Sequence, residues 1–176
     1  MMNKITYQEG ERLAAKYGYE DYGEPLAEYR VLSNGGLEET ETSCTMISVR
    51  RNGKCGWIDA NNRMVIPFEY DTLFVTCYDD IVLLKKNKKE GGLYRHNLAR
   101  VAFEFKYDYL FHMYNMTYMA VLNGKNALVK PGDVLLTEYV YDGFLENNGE
   151  RYTGYKKTTI WGVKEGRIDL ETGIEL

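Results

Sequence analysis

Histidine and cysteine are scarce in this chain, with two of the first and three of the second among 176 residues. Cys44, Cys55 and Cys77 are odd in number and form no C-x-x-C pair, the pattern of reduced, partly buried thiols in a cytosolic protein rather than of a disulfide framework. Neither His96 nor His112 has a cysteine or carboxylate at a metal-ligand spacing, so both read as structural or surface residues and no metal is expected. There is no nucleophile elbow, no phosphate-cradling glycine loop and no H-E-x-x-H, so no catalytic residue and no cofactor is assigned. No apolar run approaches the ~20 residues of a membrane span. The start, Met1-Met2-Asn3-Lys4-Ile5-Thr6, lacks the apolar core of a signal peptide, so a cytoplasmic location is expected and no membrane partner. Positive charge is also short: 22 Lys and Arg against 26 Asp and Glu leave a net charge of −4, which argues against a nucleic-acid partner. It permits an acidic patch facing a basic protein.

Tyrosine is abundant instead, at 16 residues against 6 Phe and 2 Trp. Its ring packs while its hydroxyl stays wet, which suits half-buried strands and protein interfaces alike. The more informative feature is an internal period of about 35 residues. Gly56-Trp57-Ile58-Asp59 recurs in weakened form as Gly92-Leu93-Tyr94-Arg95, Ala127-Leu128-Val129-Lys130 and Gly162-Val163-Lys164-Glu165, at offsets of 36, 35 and 35. A second marker keeps step: Tyr70-Asp71, Tyr107-Asp108 and Tyr141-Asp142, spaced 37 and 34. Such arrays are more often binding surfaces than catalysts.

The pattern within each period is strand and turn. Met46 to Val49 runs into Asn52-Gly53, a strong hairpin signal because both residues tolerate positive φ, and Met119 to Leu122 runs into Asn123-Gly124 in the same way. About three short antiparallel strands are expected per unit, too few to bury a face alone, so neighbouring units share a core with Trp57, Leu93, Leu128 and Val163 inward. Before the repeats, Tyr7 to Tyr17 is rich in helix formers and stops at Gly18, and Leu13 and Tyr17 fall on one face. Ser33 to Glu41 reads as an exposed acidic loop, and Pro25 to Tyr29 loosely echoes Pro67 to Tyr70 as a worn half-repeat. The expected organisation is a helical capping segment over 1–42 and a repeat region over 43–176, packed as one domain.

Gly53-Lys54-Cys55-Gly56-Trp57-Ile58-Asp59, followed by Met64-Val65-Ile66-Pro67 and Tyr70-Asp71, resembles a unit of the bacterial WG-repeat family, with Cys55 where the family has Trp. Trp161-Gly162-Val163 keeps the Trp-Gly pair in the last unit, and Leu170-Glu171-Thr172-Gly173 also resembles the family, while the two middle units are degraded. The resemblance covers residues 45 to 176. It implies an all-β, hairpin-built fold of about three and a half stacked three-stranded units, curved and solenoid-like or alternatively propeller-like or half-barrel, and it implies no particular chemistry.

Asp71, Asp108 and Asp142 each follow a strand, where Asp usually bonds the next backbone and starts a turn; they are expected to be structural. Lys85-Lys86-Asn87-Lys88-Lys89 and Lys156-Lys157 occupy equivalent hairpin edges and read as guards against sheet pairing. A convergent basic site of Arg95, His96, Arg100 and Lys106 is weaker than a solvated face. The candidate functional positions lie between the markers: Tyr78, Asp79 and Asp80, then Tyr114 and Tyr118, then Glu146 and Glu150, on corresponding loops that would present aromatic and acidic groups together. The expectation is a non-enzymatic protein-binding protein, most concretely an immunity protein that neutralises a bacterial toxin domain with a basic surface, such as a nuclease. The alternative is a module binding a glycan or peptide in a tyrosine-lined groove.

Overall fold

The protein is described here by a computed structural model covering residues 6–31, 37–72, 76–78, 80–145 and 149–176. The expected all-β architecture with one short N-terminal helix is what it shows. Helix α1 (Tyr7–Tyr17) starts where the Thr6 hydroxyl accepts the Glu9 N–H at 3.2 Å. It ends at Gly18, whose φ of 68° is the left-handed conformation glycine adopts most easily. Its buried face is Gly10, Leu13 and Ala14; Tyr17, expected beside Leu13, is instead partly exposed.

The strands form four antiparallel sheets. The first is β1 (Asp21–Val31), β2 (Leu37–Arg51), β3 (Lys54–Asp59) and β4 (Met64–Tyr70) in chain order. The second is β5 (Thr76–Tyr78), β6 (Ile81–Lys86), β7 (Lys89–Tyr94) and β8 (Asn97–Tyr107), and the third β9 (Tyr109–Tyr114), β10 (Thr117–Leu122), β11 (Lys125–Lys130) and β12 (Val134–Leu135). The last holds β13 (Gly143–Phe144), β14 (Tyr152–Thr159) and β15 (Gly162–Asp169). Each unit is therefore a four-stranded meander rather than the expected three, with the last one strand short. The strand missed from sequence is the one that follows Tyr-Asp, short and poorly alternating in β5 and β13. The loop expected over Ser33–Glu41 is also corrected. From Leu37 onward it is strand, because Leu37, Glu38 and Glu39 pair with Val31, Arg30 and Tyr29. The Gly35-Gly36 part of that expectation lies outside the described residues. Strand β2 runs straight through the boundary expected after residue 42.

The chain divides into two compact units: residues 1–88 with 92–100, and residues 89–91 with 101–176. In the first, Leu13 of α1 packs on Ile47, Val49 and Ile58, with Tyr19, Tyr22 and Phe68 around them. Full burial of aliphatic side chains such as these contributes about 2 kcal/mol each. Trp57 and Leu93 are buried in this unit. In the second, Met113, Leu128, Tyr141, Tyr155, Ile168 and Leu170 form the core. Val163 does not join it; it is 58% exposed.

That difference traces to the repeat register. Gly56 packs so closely that a Cβ would meet the Ile66 carbonyl oxygen at 2.8 Å, and at Gly91, not Gly92, a Cβ would meet the Phe105 ring at 2.8 Å and the Phe103 carbonyl oxygen at 2.9 Å. Counting from Lys54 two residues before Gly56, the equivalent positions are Lys89, Lys125 and Lys164, which open β7 and β11 and lie inside β15. The fourth unit thus aligns Lys164-Glu165-Gly166-Arg167-Ile168-Asp169 with Lys54-Cys55-Gly56-Trp57-Ile58-Asp59. Trp161-Gly162 falls outside the framework.

The hairpin turns match the sequence reading. Asn52 and Gly53 have φ of 52° and 72°, and Asn123 and Gly124 have 53° and 74°. Asn87 and Lys88 take the same conformation at 51° and 65°. The fourth hairpin departs: Lys157 pairs with Lys164 as Arg51 does with Lys54, but pairing then continues to Thr159 and Gly162, leaving Ile160-Trp161 as the turn.

Candidate interaction surface

The acid of each Tyr-Asp pair fastens one meander to the hairpin of the next. The Asp71 N–H donates to the Lys85 carbonyl at 2.7 Å, its Oδ2 accepts the Lys88 N–H at 2.8 Å, and its Oδ1 accepts Lys54 Nζ at 2.5 Å. Asp108 repeats this with the Val121 carbonyl at 2.9 Å, the Asn123 N–H at 2.8 Å and Lys89. Asp142 repeats it with the Lys156 carbonyl at 2.8 Å, the Thr158 hydroxyl at 2.8 Å and Lys125. The lysine lies two residues before the framework Gly or Ala in every case. Hydrogen bonds from these lysines, then from the turn groups, hold all three carboxyls below the ordinary aspartate pKa.

Each end of the array keeps part of this arrangement, the turn contacts at Glu20 and the lysine contacts at Glu175. Glu20 donates its N–H to the Arg50 carbonyl at 3.0 Å and accepts the Asn52 and Gly53 N–H groups at 2.7 and 3.0 Å. The worn half-repeat is therefore marked by Tyr19-Glu20, not by the stretch from Pro25. At the other end Glu175 accepts Lys157 Nζ at 2.5 Å, Lys164 Nζ at 2.6 Å, and the Tyr141 and Tyr155 hydroxyls at 2.8 Å each. Burial works against its charge, but these four donors outweigh it and hold the carboxyl far below the usual glutamate range.

The expected site residues do not share one environment. Asp80 is turned to its own chain: its Oδ1 accepts the His96 N–H at 3.1 Å and its Oδ2 faces His96 Nδ1, while its carbonyl accepts the Arg95 N–H at 2.7 Å. Tyr118 is fully buried, edge-on to Phe103 and His112, because β10 points it into the core; it is corrected from the exposed set. Tyr114, at the end of β9, packs partly against the core of its unit. Glu150 is exposed. Tyr78 ends β5 rather than occupying a loop, and its side chain lies outside the described residues, as do Asp79 and Glu146. The basic residues disperse likewise: Arg100 lies over the Tyr94 ring at 4.7 Å, and Lys106 engages Glu104 and Asp133, each at 3.2 Å.

Two surface features escaped the sequence reading. One is the fourth hairpin, with Ile160 and Trp161 each 91% exposed. Its signal was present in Lys-x-Gly-x-Ile-Asp at 164–169, which shifts the register and exposes four extra residues between Lys156 and Lys164. The other is a groove of about 850 Å³ lined by Phe144, Leu145, Tyr155 and Arg167, with Leu145 lying against Gly154 and the Tyr155 ring against Gly166.

No helix among the described residues is long and apolar enough to cross a membrane. No curated protein matches the chain. Among solved structures, the crystal structure of the N-terminal domain of Nup159 is similar to it at 11% identity and a TM-score of 0.43, over 86% of this chain and 43% of that one. The chain thus spans less than half the length of that domain. The family model described as WG containing repeat matches residues 56–89, from the close-packed Gly56 of β3 to the clasping Lys89 of β7, so this stretch is similar to a WG-containing repeat.

Proposed function

We propose that the chain is a non-enzymatic protein-binding protein of the cytoplasm, and most concretely an immunity protein that neutralises a bacterial toxin domain by direct binding. The observation that carries this reading is the saturation of the framework. The carboxylates of Glu20, Asp71, Asp108, Asp142 and Glu175 are each engaged by backbone N–H groups, lysines or hydroxyls of the chain itself. Groups committed in this way serve the fold, which leaves recognition to the segments between them. The acidic excess favours a partner with a basic surface, since opposite net charge accelerates encounter and the gain falls with salt. The test is coexpression with the toxin encoded beside this chain's gene. Cell survival and an association rate that falls about tenfold or more as salt rises from low to physiological are expected. Continued toxin activity in the presence of excess chain sinks the reading.

The groove beside Phe144 and Tyr155 favours a second reading, a module that holds a glycan or peptide on an aromatic floor. A rise in melting temperature with oligosaccharides or short peptides, abolished by Gly154→Leu, would support it over the first.

A further inference from the structure

The fourth hairpin breaks a rule the other three keep. The carbonyl that accepts the framework acid's N–H belongs to Arg50, Lys85, Val121 and Lys156 in turn. In the first three units the clasping lysine follows four residues later, at Lys54, Lys89 and Lys125; in the last it follows eight residues later, at Lys164. Four residues have been added. They are not needed to close the unit, because Thr158 already occupies the turn position that contacts Asp142, and Lys164 still reaches its acid. Added residues in a repeat fall on outward loops, often on the binding face.

What the addition exposes is apolar. Ile160 and Trp161 form the tip where the other turns have Asn-Gly or Asn-Lys, and Val163 beside them is 58% exposed. The other tryptophan, Trp57, is fully buried. The tip is also pinned: Thr159 Oγ1 accepts the Trp161 N–H at 3.2 Å and donates to the Gly162 carbonyl at 2.9 Å. A tip held in this way loses little freedom on binding. Tryptophan is the side chain most enriched where single residues dominate an interface.

The surroundings select the partner. Arg151 is held by Asp169 and Glu171, which leaves Lys156, Lys157, Lys164 and Arg167 against two acids, Glu165 and Glu175, within a chain of net charge −4. Lys157 and Lys164 share the single carboxylate of Glu175, so one positive charge remains uncompensated at the base of the hairpin. Lys156 meets Glu165 only at 3.6 Å, with both side chains more than half exposed.

We propose that the β14–β15 hairpin is a docking arm, which seats Ile160 and Trp161 in an apolar pocket of a protein partner whose pocket rim is acidic. This rests on the protein-binding reading, though not on the partner being a toxin. A lipid surface is the less favoured occupant, because two tip residues bury little area and one uncompensated charge adds only about 1 kcal/mol of attraction to anionic headgroups.

The test places the photocrosslinker p-benzoylphenylalanine at position 160 of the full chain, with position 104 as an exposed control, in the cells that make it. The protein crosslinked from 160 alone is then purified and titrated against the wild type, Trp161→Ala, Lys156→Glu, and a variant with 158–163 replaced by Asn-Gly. Trp161→Ala is expected to weaken binding by about 30-fold, as the loss of a dominant anchor does. Lys156→Glu is expected to weaken it more at low salt than at high. The shortened variant is expected to lose binding with its melting temperature within about 3 °C of wild type, and a much larger drop would make the added residues structural and overturn the proposal. Crosslinks only to a second copy of the chain, or none above the control, overturn it too. So does a blue shift of Trp161 emission on vesicles of three parts phosphatidylcholine to one part phosphatidylserine. A captured toxin that binds Trp161→Ala as well as wild type would leave the immunity reading standing and remove the arm. Loss of binding to a partner that is not a toxin would do the reverse.

Discussion

Asp71 illustrates why one residue type recurs at one place in each unit. Its carboxylate satisfies the N–H of Lys88, a residue held at a φ of 65° without the freedom of glycine, and also pairs with Lys54. The two contacts differ in kind. The ion pair is partly exposed and worth at most ~1 kcal/mol, whereas a turn N–H deprived of its acceptor also strains the turn it closes. Asp71→Ala is therefore expected to destabilise the protein more than Lys54→Ala, by about 2 kcal/mol against ~0.5 kcal/mol, measured by urea unfolding. Equal losses would mean that the ion pair, not the turn contact, fixes this position. Sequence alone identified Asp71 as structural but assigned it to the next backbone, whereas its carboxylate closes a turn 17 residues later. It did not show the lysine partner, 17 residues earlier, because pairing across a meander has no local signature.

Strands rather than residues decide which glycines are indispensable. Gly56 of β3 lies against the backbone of β4, where a Cβ would meet a carbonyl oxygen at 2.8 Å and the Phe68 ring at 3.1 Å. Backbone cannot yield as a side-chain end can. Gly53, in the open turn immediately before β3, has nothing within 4 Å of such a Cβ. Gly56→Ala is expected to cost about 3 kcal/mol by overpacking, and Gly53→Ala about 1 kcal/mol from its positive φ alone, in chemical unfolding. A smaller loss at Gly56 would show that β3 and β4 can separate without disturbing the core. The same elements show what was legible in advance. The hairpins at Asn52-Gly53 and Asn123-Gly124 were readable because turn chemistry is local. The register of the last unit was not, because Trp161-Gly162 imitates the family's Trp-Gly pair four residues from the true framework glycine, Gly166. The candidate site suffered for a related reason. Tyr118 and Tyr114 were placed by sequence offset alone, and offset cannot say which face of β10 or β9 a tyrosine takes.

Across the molecule, the acid that ties each meander to the next also makes stability depend on pH. Asp71, Asp108, Asp142 and Glu175 all have pKa values depressed by folding, chiefly through lysine donors, with burial opposing the shift at Glu175. A depressed carboxyl contributes stability that is complete above its unfolded pKa, near ~4, and disappears as pH falls toward the folded value. Because all four shifts have the same sign, these losses all begin as pH falls below the unfolded pKa near ~4. Tyrosine sets the opposite edge. Burial pushes the Tyr70 hydroxyl up to about 12, with Glu69 adding to the shift, so its contribution holds below the unfolded value and is lost as pH rises toward 12. Melting temperature is therefore expected to be nearly flat from about pH 5 to pH 9, to fall steeply below about pH 4, and to fall again above about pH 10. Calorimetry across that range checks it, and Asp71→Asn should flatten the acid limb, because an amide cannot be protonated there. An acid limb equally steep in that variant, and in the equivalent changes at Asp108, Asp142 and Glu175, would place the acid sensitivity outside the clasps and leave them as geometry without electrostatic weight.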